Sequence, residues 1–406
     1  MLPLEGIRVI ELCHWVLGPT CCRALGEMGA DVIKIEDPKG GDPVRGLLPP
    51  NAMTERGLGV INPFWEQWNG SKRAIVIDLS KETGKEVALK LLSQADVFVT
   101  NYRPKVIDRL GLDYQSISSL NPKIIYAQAT GFGSMGPDRD RAAFDDTVFW
   151  IRAGIMSTLG EPDAPPVPLR GAMGDLTSAV FLAGAIVAAL YARDRSGLGQ
   201  KIDISLLSTG MWVAGEDMQR RLTWRERGGN RKYGRKEAPN PLRNTYQTAD
   251  GKWVFFMMLQ TDRYWPAVCR AIGREDLVDD PRFDCHQKRM QNHREIIALL
   301  DEVLVTRTLD EWAERFEEYS LVWEAETTIA EVVADPQVTA NDLVAELPHS
   351  SGEIMQLLRL PFQFSNTPIA PRTPAPEFGQ HTEEVLLELG YNWDDLTQMK
   401  EQGTIL

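Results

Sequence analysis

Residues 7–36 read IRVIELCHWVLGPTCCRALGEMGADVIKIE, and the alternation inside them sets the fold class. Ile7–Leu12 is a short run rich in β-branched residues. Gly18-Pro19 then opens the helical stretch TCCRALGEMG, and Asp31–Glu36 is a second strand ended by the turn cluster DPKGGDP. Strand, helix and strand in that order make a βαβ unit with parallel strands. The alternation continues through strand Ala74–Leu79, helix KETGKEVALKLLSQA, strand Asp96–Thr100, a helix around Pro104–Leu110 and strand Lys123–Thr130. Such spacing predicts an α/β fold with a mostly parallel sheet. After the Pro-rich connector EPDAPPVPLRG, residues 176–193 read as a helix that is apolar nearly all round, which predicts burial in a core. IDISLL (202–207) reads as a further strand.

Downstream the pattern changes. Residues 1–214 form the first part of a large domain on this reading, and the charged, Gly-containing stretch 215–243 is a linker. Residues 244–330 hold an aromatic strand pair around Ala249-Asp250-Gly251, then amphipathic helices at 292–305 and 309–319, which predicts a smaller α+β domain. Residues 331–406 carry the Pro-rich segment PFQFSNTPIAPRTPAPEFG and a short helix, TEEVLLELG. That composition suits an extended path over another surface.

The chain has 406 residues, 43% of them hydrophobic, and a formal charge of −13. At roughly 150 residues per domain the length favours two or three domains. An acidic chain repels phosphate backbones, so no nucleic-acid partner is expected, yet a local basic pocket can still take an anionic cofactor. Five cysteines (Cys13, Cys21, Cys22, Cys269, Cys285) form no regular framework, which suggests free thiols in a reducing compartment. The N-terminus lacks the pattern of a signal peptide. The longest apolar run, Ala179 to Ala192, is about 14 residues, short of the roughly 20 that cross a bilayer. A soluble cytoplasmic protein with no membrane partner is the expectation.

The sequence has no G-x-G-x-x-G in the turn directly after the first strand, no G-x-x-x-x-G-K-[ST], no G-x-S-x-G and no H-E-x-x-H. Its five histidines (His14, His286, His293, His349, His381) are widely spaced, so no metal is expected. What remains is a set of Gly-flanked polar positions at strand ends, where ligands bind in open α/β sheets. The sharpest is Arg170-Gly171-Ala172-Met173-Gly174-Asp175, just before the apolar helix. Residue types alone make Asp175 a helix N-cap, its carboxylate held ionised by the positive helix end. The same carboxylate can also attack a substrate carbonyl, with adjacent N–H groups receiving the oxyanion. A basic set follows other strand ends: Arg45, Lys72-Arg73, Asn101-Tyr102-Arg103, Arg109, Arg139 and Arg141. Each alone reads as a solvated surface charge. Their recurrence in an acidic chain points to a polyanionic ligand, with Tyr102 available to stack on a purine.

At these residues the chain resembles the family III CoA-transferases, the group that contains formyl-CoA, carnitine and cinnamoyl-CoA:phenyllactate CoA-transferases. The α-methylacyl-CoA racemases are relatives. The likeness runs through LGPTCCRALGEMGADVIKIEDPKGGDPVR (17–45), NGSKRAIVIDL (69–79), TNYRPKVIDRLGLDY (100–114) and PKIIYAQATGFGSMGP (122–137). It continues through GD (174–175), TADGKWVFF (248–256), DPQVTAND (335–342) and PAPEFGQHTEEVLLELGY (374–391), end to end along the chain. The resemblance implies a Rossmann-like large domain to which the C-terminal tail returns, a smaller α+β domain and an interlocked homodimer. It implies an acyl-CoA donor and a carboxylic acid acceptor as substrates, coenzyme A as the group transferred, and Asp175 as the covalent nucleophile. CoA would meet Arg45, Asn101, Tyr102, Arg103, Arg109 and Arg141. Val16 and Leu17 would lie at the thioester end, with Ile77 to Ser80 near the adenosine.

Departures from the family pattern narrow the reading. Some transferases have glutamine where Val16 stands, and some carry a glycine-rich flap of which Gly228-Gly229 is the nearest counterpart here. The racemases place a histidine within the segment corresponding to Ala143–Asp146, where this chain has Phe144. Two-base proton exchange needs that second base, so racemase chemistry is the weaker alternative, beside a non-catalytic CoA-binding role. Trp15, Trp65, Trp68, Phe149 and Trp150 are candidates for an aromatic acyl pocket or for core packing, and Arg152 for a substrate carboxylate or an internal aspartate.

Overall fold

Six strands lie parallel in one sheet: β1 (Arg8–Leu12), β2 (Asp31–Glu36), β3 (Arg73–Val76), β4 (Val97–Thr100), β5 (Ile125–Thr130) and β6 (Gln200–Ser205). Their order is β3-β2-β1-β4-β5-β6, so the winding reverses between β1 and β4. The computed structural model describes residues 1–47, 61–167, 169, 171–225 and 232–406. These divide into one unit of Met1–Ser157, Pro168–Trp224 and Thr339–Leu406, and a second of Thr158–Val167 and Arg225–Val338.

Alternate strand residues point to opposite faces, and the sheet has a core on each. Val9, Val32, Val97, Val99 and Ile125 pack beneath α1 (Leu17–Glu27) and the long helix α6 (Met173–Ser196). Ile10, Ile33, Ile75, Phe98 and Tyr126 pack on the other face. There they meet α3 (Glu82–Ser93), α4 (Pro104–Leu110), α5 (Tyr114–Leu120), α15 (Thr382–Glu388) and α16 (Trp393–Glu401). The last two come from the C-terminal tail, which also closes the sheet edge. His381 Nδ1 accepts from Ala74 N–H at 3.2 Å and Thr382 Oγ1 from Val76 N–H at 3.1 Å, satisfying donors that an open edge would expose.

Two local expectations are corrected. The strand read as 202–207 ends at Ser205, because Ser205 and Ser208 form a reciprocal capping box that starts α7 (Leu206–Val213). Helix α6 is longer than expected and is buried along one stripe only, including Ser178, Leu182, Ile186 and Leu190. One side of it meets α1 and the sheet, while Phe181 and Tyr191 on the other stay 46% and 59% exposed. Helix α8 (Gly215–Trp224) follows.

The second unit carries the antiparallel sheet β7 (Arg243–Gln247), β8 (Trp253–Met257) and β9 (Trp323–Ala325). Helices α9 (Thr261–Ala271), α11 (His293–Leu304) and α12 (Leu309–Glu318) pack around Tyr246, Phe256, Trp265, Trp312 and Phe316.

Candidate active site

The winding reversal places the ends of β1 and β4 side by side, and open sheets bind ligands there. The loop leaving β1, Cys13–Val16, is fixed from two directions. From β4, Asn101 clamps the His14 peptide: His14 N–H donates to Asn101 Oδ1 at 3.0 Å, and Asn101 Nδ2 donates to the His14 carbonyl at 2.6 Å. From below, Trp15 N–H donates to Asp42 Oδ1 at 3.1 Å. Asp42 belongs to a buried charge cluster in which Lys34 Nζ meets Asp42 at 2.9 Å and Glu11 at 2.7 Å, and Lys72 Nζ meets Glu11 at 2.8 Å. Burial by itself raises the carboxyls, but the adjacent lysines outweigh it and hold Glu11 and Asp42 below their ordinary range. Gly18 is required where α1 leaves this loop, since a Cβ there would lie 2.3 Å from Cys13 Sγ.

Two cavities open at these strand ends. The larger, about 450 Å³, is lined by Val16, Leu17, Asn101, Tyr102, Arg103 and Asp175, together with His14, Trp15, Thr130, Ala143, Phe144 and Leu206. The smaller, about 160 Å³, is lined by Ile77, Ser80, Tyr102 and Arg109, with Glu36 and Asp37. Tyr102 and Val106 line both. A cavity of about 590 Å³ lies elsewhere, around Asp31, Arg73 and Arg372. Its Arg73 is consumed by Asp31, Glu384 and Glu388, and the strand ends that favour ligands are not there.

Asp175 is not the helix N-cap. Ala172 is, following Gly171 at φ 67°, so Asp175 stands third in the first turn of α6. Nor is it held ionised by the helix end. Burial, then Asp145 and Asp146, push its carboxyl up to about 7. Asp145 Oδ1 accepts from Asp175 N–H at 3.2 Å, and burial with Asp146 raises Asp145 itself to about 6. Gly174 permits this approach, for a Cβ there would lie 2.2 Å from both Asp145 Oδ1 and the Phe149 ring.

Most of the basic set is spent within the fold. Arg45 lines neither cavity; it binds Glu36 through two hydrogen bonds of 2.9 and 2.6 Å and lies 3.7 Å over the Trp65 ring. Arg141 is exposed beside Asp138 and Phe132, Arg152 also pairs with Asp138, and Arg139 pairs with Asp108 and Asp140. Arg103 and Arg109 form no ion pair among the described residues and remain in the cavity walls. Of the aromatic candidates Trp15 lines the Asp175 cavity. Trp65 packs with Val44 and Ala375, and Trp68 stacks on Phe64. Arg170 and Gly228-Gly229 lie outside the described residues.

His14, Asp145 and the Glu11–Lys34–Asp42 cluster were missed by the motifs, and Phe144 was noted only as standing in place of a racemase histidine. Glu11 and Lys34 had left a signal: charges set among the β-branched residues of two central strands need partners. Among the described residues no group of three or more His, Cys, Asp or Glu side chains is placed to hold a metal ion.

Comparison with known proteins places the chain in a family. The family model for CoA-transferase family III matches residues 4–382. The chain is 32% identical to (R)-2-hydroxy-4-methylpentanoate CoA-transferase of Clostridioides difficile, over 99% of each chain. It is also 32% identical to cinnamoyl-CoA:phenyllactate CoA-transferase of Clostridium sporogenes, over 99% of this chain and 97% of that one. The crystal structure of a CAIB/BAIF family protein from Brucella suis, 29% identical, superposes with a TM-score of 0.81 and covers 96% of this chain and 99% of its own.

Proposed function

Because this chain belongs to CoA-transferase family III, we propose that it moves CoA from an acyl-CoA donor to a carboxylic acid acceptor, with Asp175 as covalent nucleophile. The observation that carries this reading is that Asp175 supplies the sole carboxylate, among the described residues, lining the cavity at the winding reversal. Ionised Asp175 attacks the thioester carbon; the C–S bond breaks, giving a mixed aspartyl anhydride and CoA thiolate. The thiolate attacks the aspartyl carbonyl, and the donor acid leaves as its carboxylate, giving an aspartyl-CoA thioester. The acceptor carboxylate attacks that thioester, releasing thiolate and forming a second anhydride. Thiolate attack on its acyl carbon yields the new acyl-CoA and frees Asp175. The covalent route conserves the thioester energy, and no net proton is consumed.

In this reading CoA runs from the small cavity, with adenosine near Ile77 and Ser80 and phosphates near Arg109 and Arg103, past Tyr102 to Val16, Leu17 and Asp175. Arg45 serves indirectly, by neutralising Glu36 in the wall of the small cavity. The reading extends to an interlocked homodimer, supported by the apolar surface of α6 to α8, where Trp212 and Leu222 are 73% and 71% exposed.

Enzyme quenched in mid-reaction with hydroxylamine or borohydride carries the modification on Asp175, and Asp175→Ala abolishes transfer. Near-normal transfer by that variant would overturn the assignment. Deuterium wash-in at the α-carbon without an acceptor acid would favour the racemase alternative, against which Phe144 in place of a second base argues. Light scattering at twice the 45.5 kDa chain mass is expected for the dimer.

A further inference from the structure

Trp15 holds a backbone conformation that a bulky residue takes only under constraint, with φ at 67°. The constraint is visible on both sides. Asp42, anchored by buried Lys34, holds the Trp15 N–H, and Asn101 holds the preceding peptide. The consequence is that the indole turns away from the core and stands 37% exposed at the wall of the Asp175 cavity. There it meets Phe144, ring centroids 5.6 Å apart and planes at 84°. Phe144 is 56% exposed, and its backbone is pinned at both N–H and carbonyl by the Thr147 hydroxyl, at 3.1 and 2.9 Å. Two fixed aromatic rings exposed beside a nucleophile are an apolar surface waiting to be covered.

The charges of the cavity limit what can cover it. Among the described lining residues Asp175 is the one carboxyl and Arg103 the one permanent cation, for burial lowers His14, whose Nε2 shares a 2.8 Å hydrogen bond with Tyr102 Oη. Arg103 Nη1 donates to the Asp140 carbonyl at 3.4 Å, and on the transferase reading this cation serves the CoA phosphates. A second substrate carboxylate beside the two rings would be desolvated by apolar surface, with no cation in the described lining beyond the one that CoA engages.

Resting on the CoA-transferase reading, we propose that Trp15 and Phe144 form an apolar clamp on the acyl group and select monocarboxylic acids with bulky apolar side chains over dicarboxylic acids. An aromatic contact that the substrate covers sets specificity through kcat/KM, and even one methylene in such a pocket is worth about 10-fold or more.

The test is CoA transfer from 3-phenylpropanoyl-CoA to 4-methylpentanoate, 3-(4-methylphenyl)propanoate, acetate, succinate and glutarate, followed by mass spectrometry. Wild-type, Trp15→Ala, Trp15→Phe, Phe144→Ala and Asp175→Ala proteins are compared. The expected wild-type order places the two apolar acids first. In Phe144→Ala and Trp15→Ala the kcat/KM ratio of each apolar acid to acetate falls by about 10-fold or more, and Trp15→Phe restores part of it. Phe144 is exposed, so its truncation tests the idea even if Trp15→Ala fails to fold. Asp175-dependent transfer that prefers succinate or glutarate, or ratios unchanged in the variants, overturns the clamp while the transferase reading survives. A change of assembly mass in Phe144→Ala also overturns it, because the ring would then be covered by another chain. Absence of transfer with every acid overturns the transferase reading and the clamp together.

Discussion

Replacing Asp145 by Asn removes one negative charge from beside the nucleophile while leaving an oxygen to accept the Asp175 N–H, which Asp145 Oδ1 now holds at 3.2 Å. Asp175 sits at about 7 against an ordinary 3.8, first through burial and next through Asp145, with Asp146 third. A neighbouring charge at close range shifts a carboxyl by about 1–3 pH units, downward for an opposite charge and upward for a like one. Assigning the lower figure to Asp145 leaves Asp175 in Asp145→Asn near about 6. The acid limb of kcat/KM reports the free enzyme. Its midpoint falls by about one unit, and the ionised fraction at pH 6 rises about fivefold, from roughly a tenth to a half. Asp145 itself is raised to about 6, so its own ionisation falls within the same pH range. The assay is the pH profile of kcat/KM for CoA transfer between pH 5 and 8, with Asp146→Asn as the comparison; its shift is the smaller of the two. A limb that stays in place or moves up in Asp145→Asn, or a larger shift in Asp146→Asn, refutes the reasoning.

Two further predictions follow from the same charges. Asp175 has a folded value above its unfolded one, so its contribution to stability is complete below about pH 4 and is lost as pH rises through about 7. Asp175→Asn therefore melts above wild type at pH 8, by about 2–4 °C for each kcal/mol relieved, and the gap closes below about pH 4; a calorimetric scan showing no gap at pH 8 would contradict this. Lys34→Met leaves Asp42 and Glu11 buried with less compensation and destabilises by about 3–5 kcal/mol in urea titrations at pH 7, part of which Lys34→Met with Asp42→Asn recovers. A loss below about 1 kcal/mol would show that the cluster carries little of the stability.

Much of this molecule is determined by the chain's own periodicity. Runs such as IRVIEL and DVIKIE, spaced by a helix, fold as parallel strands whatever surrounds them, because alternate apolar residues must bury two faces. The position of Asp175 beside glycine before an apolar helix was legible for the same reason: it is a local feature. Its state was not. Helix-end reasoning predicted an ionised cap, and the carboxyl is instead raised by Asp145 and Asp146, which are about 30 residues away in sequence and adjacent only after folding. Likewise Arg45, Lys72, Arg73 and Arg141 look like free cations in the sequence, and Glu36, Glu11, Asp31 and Asp138 claim them in the fold. Local pattern dictates that a strand forms and which of its side chains share a face. Which charge such a side chain meets, and hence its protonation and its chemistry, is set by long-range contacts that no spacing in the sequence encodes.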